Sequence, residues 1–181
     1  MTWILLILVA LVLVWYVTTY NSFVSLNVKC EEAYSTMDIY LKKRYDLIPN
    51  LVETVKGYAK HESETLESVV AARGAAVSAK TPEAKAAAEG TLNNALSRLM
   101  VVMERYPDLK ANQNFSELQA QLEGTENRIT VERKRFNEVA QSYNTYIRSF
   151  PNNILAGMFG FFPKAYFTAE AGAEKAPKVE F

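Results

Sequence analysis

The sequence predicts an all-α protein: an N-terminal transmembrane helix continuing into an antiparallel up-down four-helix bundle. Three observations carry this. No charged side chain precedes Lys29, and Trp3 to Val17 is an unbroken apolar run. Beyond it, apolar residues recur in paired rows at seven-residue spacing, the pattern of helices that bury a seam. Proline and cap-forming residues punctuate those rows, and no stretch shows the alternation of a half-buried strand.

Residues 1–20 read as the anchor. At about 1.5 Å per residue, Thr2 to Tyr20 reaches roughly 28 Å, close to the hydrocarbon thickness of about 30 Å. Trp3 stands near one end and Trp15, Tyr16 and Tyr20 near the other, where interfacial aromatics belong. A cleavable signal peptide would carry a basic leading region and a small-residue cleavage pattern, and neither is present. Lys29, Lys42, Lys43 and Arg44 all follow the anchor, so the positive-inside rule places the rest of the chain in the cytoplasm, beneath the cell (inner) membrane.

Residues 21–150 carry the heptads. Phe23, Cys30, Met37 and Arg44 form one row, with Leu26, Ala33, Tyr40 and Leu47 beside it. Pro49 then suggests a turn. Val52, Ala59, Leu66 and Arg73, with Val55, Glu62, Val69 and Ala76, repeat the pattern after it. Thr81 is placed to cap a third helix with Pro82 and Glu83 in its first turn, and Pro107 to stop it. Asn114 with Glu117 reads as the cap opening a fourth helix. There Phe115, Leu122, Ile129, Phe136, Tyr143 and Phe150 make one row, and Leu118, Thr125, Glu132, Val139 and Tyr146 the other, until Pro151 ends it. The stretch Lys80 to Gly90 is rich in alanine and charge and so is helix-forming.

Residues 151–181 form an apolar C-terminal segment and a flexible tail, the tail beginning at Thr168. In the segment, Phe159, Phe161, Phe162, Tyr166 and Phe167 crowd around Gly157, Gly160 and Pro163. So much aromatic surface calls for a membrane or subunit contact. Two placements fit: insertion into the bilayer interface, or folding back to cap the open end of the bundle, with docking on a neighbouring subunit compatible with either.

The segment KRYDLIPNLVETVKGYAKHE, residues 43–62, and the run ERYPDLKANQNFSELQAQLEGTENRITVERKRFNEVAQSYNTYIRSFPNNILA closely resemble the LemA family of bacterial membrane-anchored helical proteins. The terminal Val179-Glu180-Phe181 is similar to that family's ending. The resemblance implies a single-pass anchor and a helical cytoplasmic domain, and brings no catalytic residues. Members of the family are often encoded near membrane-embedded metalloproteases, and one branch takes part in shaping magnetosome membranes.

Residue chemistry points away from an enzyme. Lys plus Arg equals Asp plus Glu at 20 each, so no basic field recruits nucleic acid. His61-Glu62 begins a zinc-protease pattern, but residue 65 is Thr and no second histidine exists. A di-iron bundle fails for the same reason, since it needs two Glu-x-x-His elements. Ser63 and Ser68 lie near His61 without an oxyanion-binding turn, and Gly157 and Gly160 lack a basic partner for phosphate. No cofactor or metal is called for. Cys30, on the seam, reads as a core residue.

Charges on the seams need partners. Folding the helices about their expected turns sets Glu62 level with Arg98 and Arg73 level with Glu132, so two structural ion pairs are expected. The functional reading is a non-enzymatic scaffold that binds membrane lipid, forms a homo-oligomer and organises membrane partners. The alternatives are an adaptor for a membrane metalloprotease, and a bundle holding an apolar ligand near Tyr40, Tyr143 and Tyr146.

Overall fold

A computed structural model describes residues 1–167. The expected mobile tail from Thr168 lies outside them. Every regular element among the described residues is helical: α1 (Thr2–Tyr58), α2 (Ser63–Ser78), α3 (Pro82–Met103), α4 (Pro107–Lys110), α5 (Gln113–Arg148) and α6 (Asn152–Phe159). The chain groups into two compact units. Met1–Met37 with Val131–Tyr166 forms the first, and Asp38–Thr130 forms the second with Phe167. The expected 21–150 bundle holds parts of both.

The first departure from expectation is at Pro49, which lies inside α1 instead of at a turn. A proline inside a helix removes one hydrogen bond and leaves the carbonyl four residues earlier without its donor. That carbonyl belongs to Tyr45, and the Arg73 guanidinium takes it, Nε donating at 2.6 Å. The chain therefore turns later, at Ala59–Glu62. Burial follows the longer helix. Cys30, Met37, Arg44 and Leu51 run as one buried row, and Leu41, Ile48 and Val55 as its neighbour, in step across Pro49. Tyr40 and Leu47, expected on that second row, are half-buried, one position off it.

Local chemistry sets most of the other ends. The Thr81 side chain accepts from the Ala84 amide at 3.1 Å, with Pro82 opening α3 as expected. α3 ends at Met103, and Pro107 opens the short α4 instead of stopping α3. The cap of α5 is Asn112, whose Oδ1 accepts from the Phe115 amide at 3.0 Å. It takes the place expected for Asn114 because α5 begins earlier, at Gln113. Along α5, Phe115, Leu122, Ile129, Phe136 and Tyr143 are all buried, as their spacing predicts. Gly160, at φ 73°, closes α6: the Phe161 amide reaches back to the Ala156 carbonyl at 3.0 Å.

Within the second unit, cross-helix contacts give the topology. Arg44 meets Glu126, and Tyr58 meets Asn112, so α1 and α5 run in opposite directions. Asp38 meets Lys85, Arg44 meets Glu89, and Glu62 meets Arg105, so α1 and α3 run the same way. With α2 and α3 packed side by side across a short turn, this is up-down-up-down order. In the first unit, α1 and α5 are again antiparallel, with Tyr34 on Phe136 and Phe23 on Tyr146.

Candidate functional site

Two constellations stand out, one in each unit. The second unit holds a charge network built on Arg44, which the heptad row of α1 aims inward and which is 5% exposed. Its Nη1 lies 3.0 Å from Glu89 Oε2 and 2.8 Å from Glu126 Oε2, and Nη2 donates to Asn93 Oδ1. Glu89 is 1% exposed and uses both oxygens, since its Oε1 accepts from the Tyr45 hydroxyl at 2.6 Å. Lys85 pairs with Asp38 one turn away. A buried guanidinium flanked by two carboxylates is tolerable here because Glu89 is fully engaged and the Glu126 side chain is partly exposed, although its Oε2 facing Arg44 is itself buried.

Burial pushes the Tyr45 hydroxyl pKa up from its ordinary value near 10, and the bond to Glu89 pushes it the same way. The folded state thus favours neutral tyrosine. Its contribution to stability is complete below the unfolded pKa of about 10 and is lost as pH rises above that toward the folded value. Tyr45→Phe is expected to cost about 1–3 kcal/mol at pH 7, because Glu89 Oε1 loses its donor. Denaturant titrations at several pH values should show the gap between parent and variant narrowing above about pH 10; a constant gap would contradict this account.

Neither expected ion pair is the one these residues make. Glu62 accepts from Arg105 Nη2 and from the Tyr106 hydroxyl, both at 3.1 Å. Arg98 is exposed and enters no ion pair among the described residues. Glu62 closes the Ala59–Glu62 turn, where it meets residues just past the end of α3. Arg73 is committed to the Tyr45 carbonyl. Glu132 has its ion pair on its own helix, with Arg135 at 3.9 Å. Glu89, Asn93 and Glu126 are absent from the residues that sequence reasoning singles out. A signal for Glu89 does exist: it occupies the buried row that continues through Leu92, Leu96, Leu99 and Met103.

The first unit holds the aromatic segment. Phe159 sets its ring edge-on to Tyr16 and Tyr20, with centroids 5.7 and 5.1 Å apart. Phe161 packs on Tyr20 and Phe23 at 6.1 and 5.1 Å. Buried Asn144 clamps the far end, its side-chain amide donating to the Lys164 carbonyl and accepting from the Lys164 amide, both at 2.8 Å. The Lys164 ammonium lies 5.8 Å from the Tyr143 ring centroid. Phe167 is buried, while Phe162 and Tyr166 are exposed. Tyr143 and Tyr146, the expected lining of an apolar ligand site, are packed against Lys164 and Phe23. Cys30 is buried, and burial pushes its thiol pKa up against a smaller opposing pull from Lys164. His61 is exposed in its turn.

The LemA family model matches residues 33–181, most of the chain. The chain belongs to the LemA family. Among its relatives are two magnetosome proteins of Paramagnetospirillum magneticum, MamQ 1 and MamQ 2, each 28% identical over 174 residues, covering 82% of this chain. The match takes in 64% of each of these relatives' own length. Magnetosome protein MamQ of Magnetospirillum gryphiswaldense is 28% identical over 185 residues, covering 86% of this chain and 68% of its own. Protein LemA of Metamycoplasma hominis is 23% identical over 155 residues, covering 85% and 71%. Within this LemA-family chain, Arg44 and Glu89 both fall inside the matched region, whereas the apolar stretch of α1 precedes it. That stretch is long and apolar enough to cross a membrane.

Proposed function

We propose that this LemA-family chain is a non-enzymatic, membrane-anchored helical scaffold. It self-associates and organises lipid or membrane-protein partners from the cytoplasmic side of the inner membrane. The observation that carries this reading is the state of the buried charges. Arg44 and Glu89 are consumed by each other, Asn93 and Tyr45, and Arg73 by a backbone carbonyl. Groups held this way specify packing and are not poised for turnover. The apolar stretch of α1 and the basic residues after it support the placement.

Self-association is tested in native membranes. Cysteine at exposed Ser25 or Ser35, with Cys30 buried and out of reach, is expected to give chain-to-chain crosslinks with a short bis-maleimide. Uniform failure across a scan of this helix would count against a packed assembly.

One observation favours a second reading. A groove of about 430 Å³ opens between α1 and α2, with Val52, Leu66 and Val70 on its walls beside the charged Glu53, Lys56, Lys60 and Glu67. Its size suits a small amphipathic molecule, such as a lipid with its tail on the valines and leucine and its polar group among the charges. On that reading, native mass spectrometry of the detergent-extracted chain shows a monomer retaining lipid; on the scaffold reading it shows a defined oligomer.

A further inference from the structure

α6 and the residues after it present a surface that water serves poorly. Between Arg148 and Lys164 there is no charged residue. Met158 is 73% and Phe162 72% exposed, and Phe150 and Ile154 are exposed beside them. This is not a loose end that a partner must order, because the Asn144 clamp and the Gly160 cap hold it in place. The inward side of α6 is already occupied, with Leu155 and Ala156 buried. The outward side is therefore uncharged and, apart from Asn153 at its start, apolar, and it is fixed by structure.

Its height on α1 identifies what covers it. Residues 1–14 of α1 are exposed throughout, and cover by the chain begins at Trp15 and Thr19. Phe159 touches Tyr16 and Tyr20, inside the predicted span Thr2–Tyr20. Moving the membrane boundary back to Val14 would leave about 20 Å of uncovered apolar helix against a hydrocarbon core of about 30 Å. The covered turn, with Phe159 beside it, thus belongs at the hydrocarbon edge. The other end of α6 follows α5, whose Tyr146 meets Phe23.

We propose that Phe150–Tyr166 is a second membrane element, a short interfacial helix and its aromatic extension. It lies in the leaflet where α1 leaves the bilayer, with Met158, Phe159 and Phe162 among the upper acyl chains. The partner it fits is the lipid bilayer itself. A short apolar helix held at the bilayer edge is the arrangement of monotopic anchors. The segment climbs out of the lipid by Lys164, whose backbone is tied to Asn144 and whose ammonium lies over the Tyr143 ring of the bundle. The proposal deepens the scaffold reading and rests on α1 as the span.

The test uses the full chain in vesicles of phosphatidylcholine and phosphatidylglycerol, in a Cys30→Ala background. Single nitroxide labels go on Met158→Cys and Phe162→Cys, with Val12→Cys in the span and Val101→Cys on exposed α3 as references. Circular dichroism melts confirm that each labelled chain remains folded. Oxygen, which concentrates in lipid, and a water-soluble nickel chelate report what each label meets. Labels at 158 and 162 are expected to show an oxygen-to-nickel accessibility ratio several-fold above that at 101 and approaching that at 12. A ratio equal to that at 101 overturns the proposal, placing the segment in water. Exclusion of both reagents overturns it too, since protein then covers the surface. A lipid signal at 12 with either result at 158 and 162 removes this inference and leaves the anchor standing, while a water signal at 12 removes both.

Discussion

Arg44→Met is expected to destabilise the second unit by about 3–5 kcal/mol, the cost of leaving a buried ionic partner uncompensated. The partner is Glu89, 1% exposed and paired with Arg44 at 3.0 Å. Glu126 sits at the rim and can turn to water, so it should suffer little. Glu89→Met should be comparably damaging, since Arg44 then keeps only a partly solvated carboxylate. Combining the two removes both charges and replaces them with side chains that can pack. The double variant should lose clearly less than the sum of the singles, retaining a deficit from the lost bonds of the Tyr45 hydroxyl to Glu89 and of Arg44 to Asn93. Guanidinium titrations of the detergent-solubilised chain measure the cycle. Simple additivity would mean that Arg44 and Glu89 are neighbours without coupling.

The second large effect concerns Arg73 and Pro49. Arg73→Met should cost about 1–3 kcal/mol, because the Tyr45 carbonyl loses its donor in a part-buried position. The same substitution in a Pro49→Ala background should be far less damaging: an alanine there supplies the missing backbone amide, and the Tyr45 carbonyl returns to the helix ladder. This separates the carbonyl from every other role of Arg73. If the Arg73→Met loss is the same in both backgrounds, Arg73 stabilises the unit by packing or by its charge, and the account of the uninterrupted α1 is wrong.

Features encoded within one or two turns of chain are legible in the residues themselves. The apolar start of α1, the Thr81-Pro82 opening of α3 and the buried row from Phe115 to Tyr143 all depend on composition, spacing and a local cap. Pro49 misleads because its local chemistry does argue for a turn. The evidence against a turn is periodic: Met37, Arg44 and Leu51, with Leu41, Ile48 and Val55, stay in step across it. The candidate site suffers most from that error. Moving the turn from Pro49 to Ala59–Glu62 slides the following chain by about 30 Å against α1, since both arms of the hairpin change, and this is what brings Arg73 to the Tyr45 carbonyl. Glu89 escapes notice inside an alanine-rich stretch that reads only as helix-forming.

The placement of the aromatic segment divides in the same way. Its composition alone demands a cover, and its sequence leaves the bilayer and the bundle end equally open. Residue order and spacing thus determine the helical class, the apolar run and which face of each helix turns inward, because these follow from short-range geometry. Tertiary packing alone decides that Phe159 lands on Tyr16 and Tyr20, that Arg44 meets Glu89, and that Arg73 takes the carbonyl freed by Pro49. Each of these joins residues far apart in sequence, and their register depends on where a single helix stops.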